Sequence, residues 1–450
     1  MKRVFGRIIA AIVCGSMGFG CAPSDDEAGT AGGIRVLAPM FDQSGSYGLQ
    51  TPLLEGVTDT KVFEGKYAKF YLSPRIVNNK LEGVQPKSRF IENRQGEFIP
   101  GNEMTQQMVT IYAHMQRLAH LDKEFGLEGV NQWPRAVGVA VNIRGGSHNN
   151  AFYDGVTDSM LFVPYNQKNL PIAVNGGILA HEHFHSLFYK LVMKDSPYKG
   201  NVHSVELEKI LKPETKTRER QALQIQSKRQ TYQLEEINYY YYYTLSRAMN
   251  EGLADFWGWM YTGDPDFIAQ SLPKEKGNRS LKSGFASHYL TVPTSEEIKN
   301  SLLGFFVTGD NKVFKDYAVG YAYQLATRFS RVLKTFTDIY AESRNLENQK
   351  ARQEVAQAII DIFPSLKKAF ELDVSTELYS PLDALVALSE KIVDLQSEEC
   401  SYLVKVLNNS LERSDESQYR CEGETSLKIQ KVAKTLAESL SKTHSEAEAQ

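Results

Sequence analysis

The run NGGILAHEHFHSLFYKLV, Asn175 to Val192, carries three histidines and a glutamate within five residues of an otherwise apolar segment. On an α-helix His181 and His185 lie about 40° apart in projection and roughly 6 Å apart along the axis, so both rings can reach one point. Glu182 lies beside them. The chemistry this spacing serves is two imidazole nitrogens on one cation, with a carboxylate next to the water that the cation activates. Coordination would also explain the apolar setting, because it compensates the desolvation of the rings. His183 points about 200° away from His181 by the same helical geometry, so it reads as a packing or surface histidine rather than a ligand. The competing reading is plain: His-Glu-x-x-His arises by chance across a proteome, and a helix can simply carry histidines on its surface.

Two histidines leave a tetrahedral cation short of donors. AMNEGLADFWG supplies a third, because Glu251 and Asp255 stand four apart on one helix face. Glu251 is the expected third ligand. Asp255 and Asn250 would hold the other ring nitrogens of the ligating histidines, fixing tautomer and orientation. Two acids on a helix are ordinarily solvated. Here Leu253, Phe256 and Trp257 make the helix largely apolar, so carboxylates without partners would be costly.

The elements that must position these groups follow from periodicity. Ile34 to about Gly101 shows short β-like runs broken by Gly, Pro and Asn. From Glu103, Met108, Ile111, Met115, Leu118 and Leu121 recur at three- and four-residue steps, an amphipathic helix. AVGVAVNI is a buried strand, and SHNNAFYDGVTDSMLFVPY alternates as a strand or hairpin should. The histidine helix follows, then a polar segment, Met193 to about Gln233, with Pro197 and Pro213 as breakers. A second long helix runs from about Glu235 through Tyr261. Beyond it the pattern is almost wholly helical, DYAVGYAYQLATRFSRVLKTF most clearly. The expected fold class is α+β: a strand-rich N-terminal subdomain with the histidine helix (34–192), an inserted lid or rim (193–233), a mostly helical C-terminal subdomain (234–440) and a frayed tail (441–450).

Composition narrows the setting. The chain has 450 residues, 42% of them hydrophobic, enough for a substantial core. Its formal net charge of −3 and lack of a long basic run give no reason to expect nucleic-acid binding. Residues 1–20 read as a secretory signal, with Lys2, Arg3 and Arg7 ahead of a short apolar stretch. GFGC ends it, so Cys21 is the expected lipidated first residue of a bacterial lipoprotein, with residues 21–33 as a flexible tether. Ala22 after it gives no inner-membrane retention pattern, which points to an outer-membrane or periplasm-facing lipoprotein. Cys400 and Cys421 remain, and an exported chain with two such cysteines is expected to join them.

With these blocks in order, the sequence resembles the thermolysin-like gluzincin metallopeptidases over roughly residues 103 to 335. NNAFYDG looks like that family's edge strand, HEHFH like its zinc helix and NEGLADFWG like its glutamate helix. The resemblance implies a zincin-type catalytic domain in which His181, His185 and Glu251 bind one Zn²⁺. It implies Glu182 as general base on the activated water, with Asn150 and the backbone of Ala151 holding a peptide or protein substrate by strand addition. It also implies an oxyanion donor from a later helix. Tyr317, three residues before Gly320, is the expected donor, with Tyr321 and His288 as competitors.

The chain departs from that family in three ways. The gap between His185 and Glu251 is wider than in thermolysin, there is too little chain ahead of the catalytic region for the large propeptide, and the acidic calcium-site sequences are not recognisable. The expected function is a zinc endopeptidase at the cell envelope. The alternatives are an exported zinc-binding scaffold or inactive peptidase-like protein, and a helical lipoprotein whose histidine spacing is fortuitous.

Overall fold

A computed structural model describes residues 33–42, 44–142, 148–198, 234–282, 290–308, 311–371, 378–410, 417–423 and 427–433. The signal segment, Cys21, most of the tether and the tail lie outside the described residues, as do His288 and most of the 193–233 insertion.

The fold is mixed α+β, with a five-stranded sheet in the N-terminal half and helices beyond it. After short paired strands between Ile34 and Pro100, the sheet is built from β1 (Ala68–Val77), β2 (Lys80–Val84), β3 (Arg135–Val139), β4 (Ala151–Asp154) and β5 (Ser159–Phe162). Their spatial order is β4-β5-β3-β1-β2. β3 runs parallel to β1 and β5, while the two outer strands are antiparallel to their neighbours. NNAFYDG therefore contributes an edge strand, Ala151–Asp154, as the family resemblance implied.

Helix α1 (Glu103–Glu124) begins where the Asn102 side chain accepts the Thr105 N–H at 2.8 Å. Met108, Ile111, Met115, Leu118 and Leu121 are all buried. Helix α2 (Gly176–Phe188) is buried along its whole length. Its cap, Asn175, accepts from the Gly177 and Ile178 N–H groups and donates to the Phe267 carbonyl at 2.7 Å, tying the helix start to a distant segment. Helix α3 (Leu234–Thr262) packs against α2 and against α4 (Asn311–Ser343). At Gly252 an added Cβ would lie 2.8 Å from the Ala326 carbonyl oxygen, so α3 and α4 approach closely beside Glu251 only because that residue is glycine. Trp257 is fully buried, its ring against Phe125 and Phe184.

One hydrophobic core takes in residues of both proposed subdomains. The described start of the insertion is part of this body: Ser196 donates to the Phe370 carbonyl at 2.7 Å, and Tyr198 stacks on Tyr242. The C-terminal region is less uniformly helical than its pattern suggests. Ser417–Glu422 and Lys428–Ala433 pair as an antiparallel hairpin. Two long-range constraints anchor it: the Cys400–Cys421 disulfide forms, and the Asn408 amide bonds both the N–H and the carbonyl of Tyr419.

His114 on α1 lies in this core, stacked on Phe41 with its Nδ1 2.9 Å from the Tyr261 hydroxyl. Burial, with Arg117 nearby, pulls its pKa down from 6.5 to about 3. As pH falls below 6.5 the unfolded chain takes up a proton that folded His114 refuses until about 3, so this stability is lost across that window. Urea midpoints measured between pH 7 and pH 4 should therefore fall more steeply in the wild type than in His114→Gln. Parallel slopes would remove His114 from the acid response.

Candidate metal centre

The α2 and α3 helices cross so that one face of each meets the other. His181 and His185 lie on α2, one turn apart, and Glu251 reaches them from α3. The His181 and His185 Nε2 atoms are 3.0 Å apart. Glu251 Oε2 lies 3.6 Å from the first and 4.0 Å from the second. Three points at these separations share a centre about 2.1 Å from each, inside the range of a transition-metal bond to nitrogen or oxygen. All three side chains are buried. Among the described residues, His181, His185 and Glu251 form a group able to hold one metal ion.

The polar contacts around the rings decide which nitrogen faces that centre. His185 Nδ1 is 2.9 Å from Asn250 Oδ1, and His181 Nδ1 is 3.0 Å from Asp255 Oδ1. Both partners are acceptors, so each ring places its proton on Nδ1 and leaves a lone pair on Nε2. Two lone pairs 3.0 Å apart in a buried site repel. A cation between them, whether metal or proton, removes the conflict. The fit to a metal is therefore a matter of donor chemistry as well as distance.

Electrostatics point the same way. Burial pulls the His181 pKa down, but hydrogen bonds to Asp255 and Glu251, with Glu182 adding its charge, outweigh it and raise the value to about 9. Without a metal, this cluster of carboxylates retains a proton on the ring instead.

Each of the expected site residues has a definite place, apart from Cys21 and His288, which lie outside the described residues. Asn250, Glu251 and Asp255 are buried on α3, and Glu182 is buried on α2 beside His181. Ala151 belongs to the edge strand β4, which lies against α2. Asn150 just precedes that strand, accepting the Val163 N–H at 3.0 Å through its carbonyl. His183 is fully buried on the reverse face of α2, bonded to Asp122 of α1 at 2.8 Å. It packs, as its helical phase implied, and fastens the metal helix from behind.

The tyrosine at the cluster is a different one from that expected. Tyr317 stacks on Tyr321, their centroids 5.8 Å apart. Six residues on, Tyr323 donates its hydroxyl to Glu251 Oε1 at 3.1 Å, leaving Oε2 toward the histidines. Burial foremost, then the charge of Glu251, raises the Tyr323 pKa to about 12, so it remains a donor.

Two arginines also escaped the sequence reading. Arg279, on the short helix Lys276–Arg279, grips Asp255 with both arms of its guanidinium, Nε at 3.2 Å from Oδ2. Arg247 reaches the Tyr323 hydroxyl at 3.4 Å. Residue type alone gave no signal for Arg279, which stands in a segment that reads as a loop. Tyr323 sits in a tyrosine-rich helix whose phase toward the site is set by packing.

No protein-family model matches this chain, and no curated protein matches it in sequence. The site's meaning therefore rests on its geometry.

Asp255 fixes the His181 tautomer, so Asp255→Asn should lower metal affinity by about 10–100-fold while leaving the stoichiometry at one ion per chain. Competition titration against a chromogenic chelator reads both quantities. Unchanged affinity would separate Asp255 from the metal centre.

Proposed function

We propose that the chain is a zinc-dependent peptidase with a zincin-type, thermolysin-like catalytic domain, probing peptide backbones along β4. The observation that carries this reading is the convergence of two bare Nε2 atoms and one carboxylate oxygen, drawn from two helices, beside a buried glutamate and an edge strand. A nitrogen-rich set with one carboxylate suits Zn²⁺.

His181, His185 and Glu251 would hold the ion, which when bound supplies Lewis acidity to a substrate carbonyl and lowers the pKa of water. Glu182, next to His181, takes the proton from the attacking water on its carboxylate and returns it to the leaving amine. Asn150 and the backbone of Ala151 align an extended substrate by adding it to the sheet edge. Tyr323 retains its proton through the neutral range and swings its hydroxyl from Glu251 to the developing oxyanion, the role expected of Tyr317 from sequence. Arg279 holds Asp255, and Asp255 holds the His181 ring, so the imidazole keeps its orientation as charge moves. A signal at residues 1–20 and a lipid on Cys21 would place this activity at the cell envelope, endopeptidase action on proteins being the reading we favour.

Glu182→Gln should keep one zinc per chain and lose about 10²–10⁴-fold in casein or peptide cleavage, a chelator abolishing the wild-type activity. Comparable turnover in that variant would remove Glu182 from proton transfer. Zinc-loaded wild type that cuts neither casein nor a peptide library would leave a zinc-binding scaffold.

The two tyrosines give a separate test. Tyr323→Phe should lower kcat by about 10²-fold with little change in KM, whereas Tyr317→Phe should stay within about threefold of wild type. The reverse pattern would return the oxyanion role to Tyr317.

A further inference from the structure

A cavity of about 940 Å³ opens beside the metal centre and shares Asn150, Arg279 and Tyr323 with it. Its remaining wall is unusually rich in cations. Lys274 and Arg328 line it together with Glu275, the acid among the lining residues, giving a surplus of positive charge even after Arg279 is assigned to Asp255. No ion pair among the described residues involves Arg328 or Lys274. Arg331 is buried, its Nε donating to the Ser280 carbonyl at 2.9 Å, which fixes the plane of its guanidinium. Gln324 and Thr327 add neutral polar groups to the same wall.

An apolar side chain entering such a cavity would desolvate cations without compensating them. A carboxylate would instead meet guanidinium groups whose planar forks match its two oxygens. We propose that this cavity is a carboxylate-recognising subsite, so that the enzyme selects peptides bearing an acidic group close to the scissile bond. The inference rests on the peptidase reading and adds a substrate class to it. The carboxylate can come from an internal acidic side chain or from a free chain end, and the two have the same local chemistry.

The test uses zinc-loaded full-length Glu182→Gln, which binds without turnover, and three peptides of one sequence. The first is blocked at both ends and carries an internal glutamate. The second is its blocked glutamine twin. The third is the glutamine peptide with a free C-terminal carboxylate. Calorimetry should show the glutamate peptide bound about tenfold or more tighter than its glutamine twin, as expected for a charged hydrogen bond. Raising the salt should narrow the difference. Adding Arg328→Gln should shrink the ratio toward one, and Arg328→Lys should restore much of it, which excludes a mere folding defect. Preference for the third peptide instead would support the subsite and identify it as a reader of chain ends. Equal affinity for all three, or binding of none, overturns the subsite. Wild-type cleavage of the glutamine peptide shows independently whether the peptidase reading stands.

Discussion

Two imidazole Nε2 atoms held 3.0 Å apart in a buried site, so that they must share a proton or a metal ion, are the constraint around which this molecule is arranged. Asn250 and Asp255 each face an Nδ1, so the Nε2 atoms are the ones left to share a cation. Neither helix can simply move apart. Asn175 ties the start of α2 to Phe267, His183 pins its back to Asp122, and α3 is wedged against α4 at Gly252. The fold thus holds two basic nitrogens close together, and a shared proton or metal ion makes that approach attractive. Burial raises the stakes in both directions, since low dielectric strengthens coordination and penalises its absence.

Charge accounts for the partners that surround the three candidate ligands. Glu182, Glu251 and Asp255 bring three carboxylates into the interior, answered by the buried Arg247 and the partly buried Arg279. Three carboxylates against two guanidiniums leave a negative balance that raises the His181 pKa to about 9 and would equally favour a metal ion there. Arg279 belongs in this balance rather than in ligand binding alone. Burial works against its charge, but Asp255 and Glu251 outweigh that and hold its pKa above the ordinary arginine value. Tyr323 lies against both arginines, each guanidinium 5.3 Å from its ring centroid, so one aromatic face organises the cations behind Glu251.

How much of this the sequence discloses depends on how local each contact is. His181, His185, Asn250, Glu251 and Asp255 could be placed because helical spacing fixes neighbours within a turn, and metal chemistry states what must come next. The burial of α1 and the β4–β5 hairpin were legible as matters of period, whereas the edge position of β4 was implied by the family resemblance alone. Tyr317 was chosen for its place three residues before Gly320, with Tyr321 and His288 as competitors, whereas Tyr323, which bonds Glu251, carries no such spacing signal. Arg279 left no trace, since a charged residue in a polar segment looks solvated until Asp255 is seen opposite it. The hairpin at Ser417–Glu422 was hidden by its short, polar strands, which a disulfide and the Asn408 side chain hold in place.

The same division separates chemistry from selectivity. Coordination and proton transfer need few groups at fixed separations, and one turn of helix supplies most of them. The cavity beside them is built from the short helix Lys276–Arg279, the segment before it and one face of α4, parts of the chain with no shared periodicity. Its cations come together only through folding. Arg279 stands at the junction, bonded to Asp255 on one side and lining the cavity on the other. A ligand that drew Arg279 toward the cavity would loosen its grip on Asp255, and Asp255 sets the orientation of His181. Arg279 is thus the one residue that joins the cavity wall to the hydrogen-bonded partners of the histidine pair.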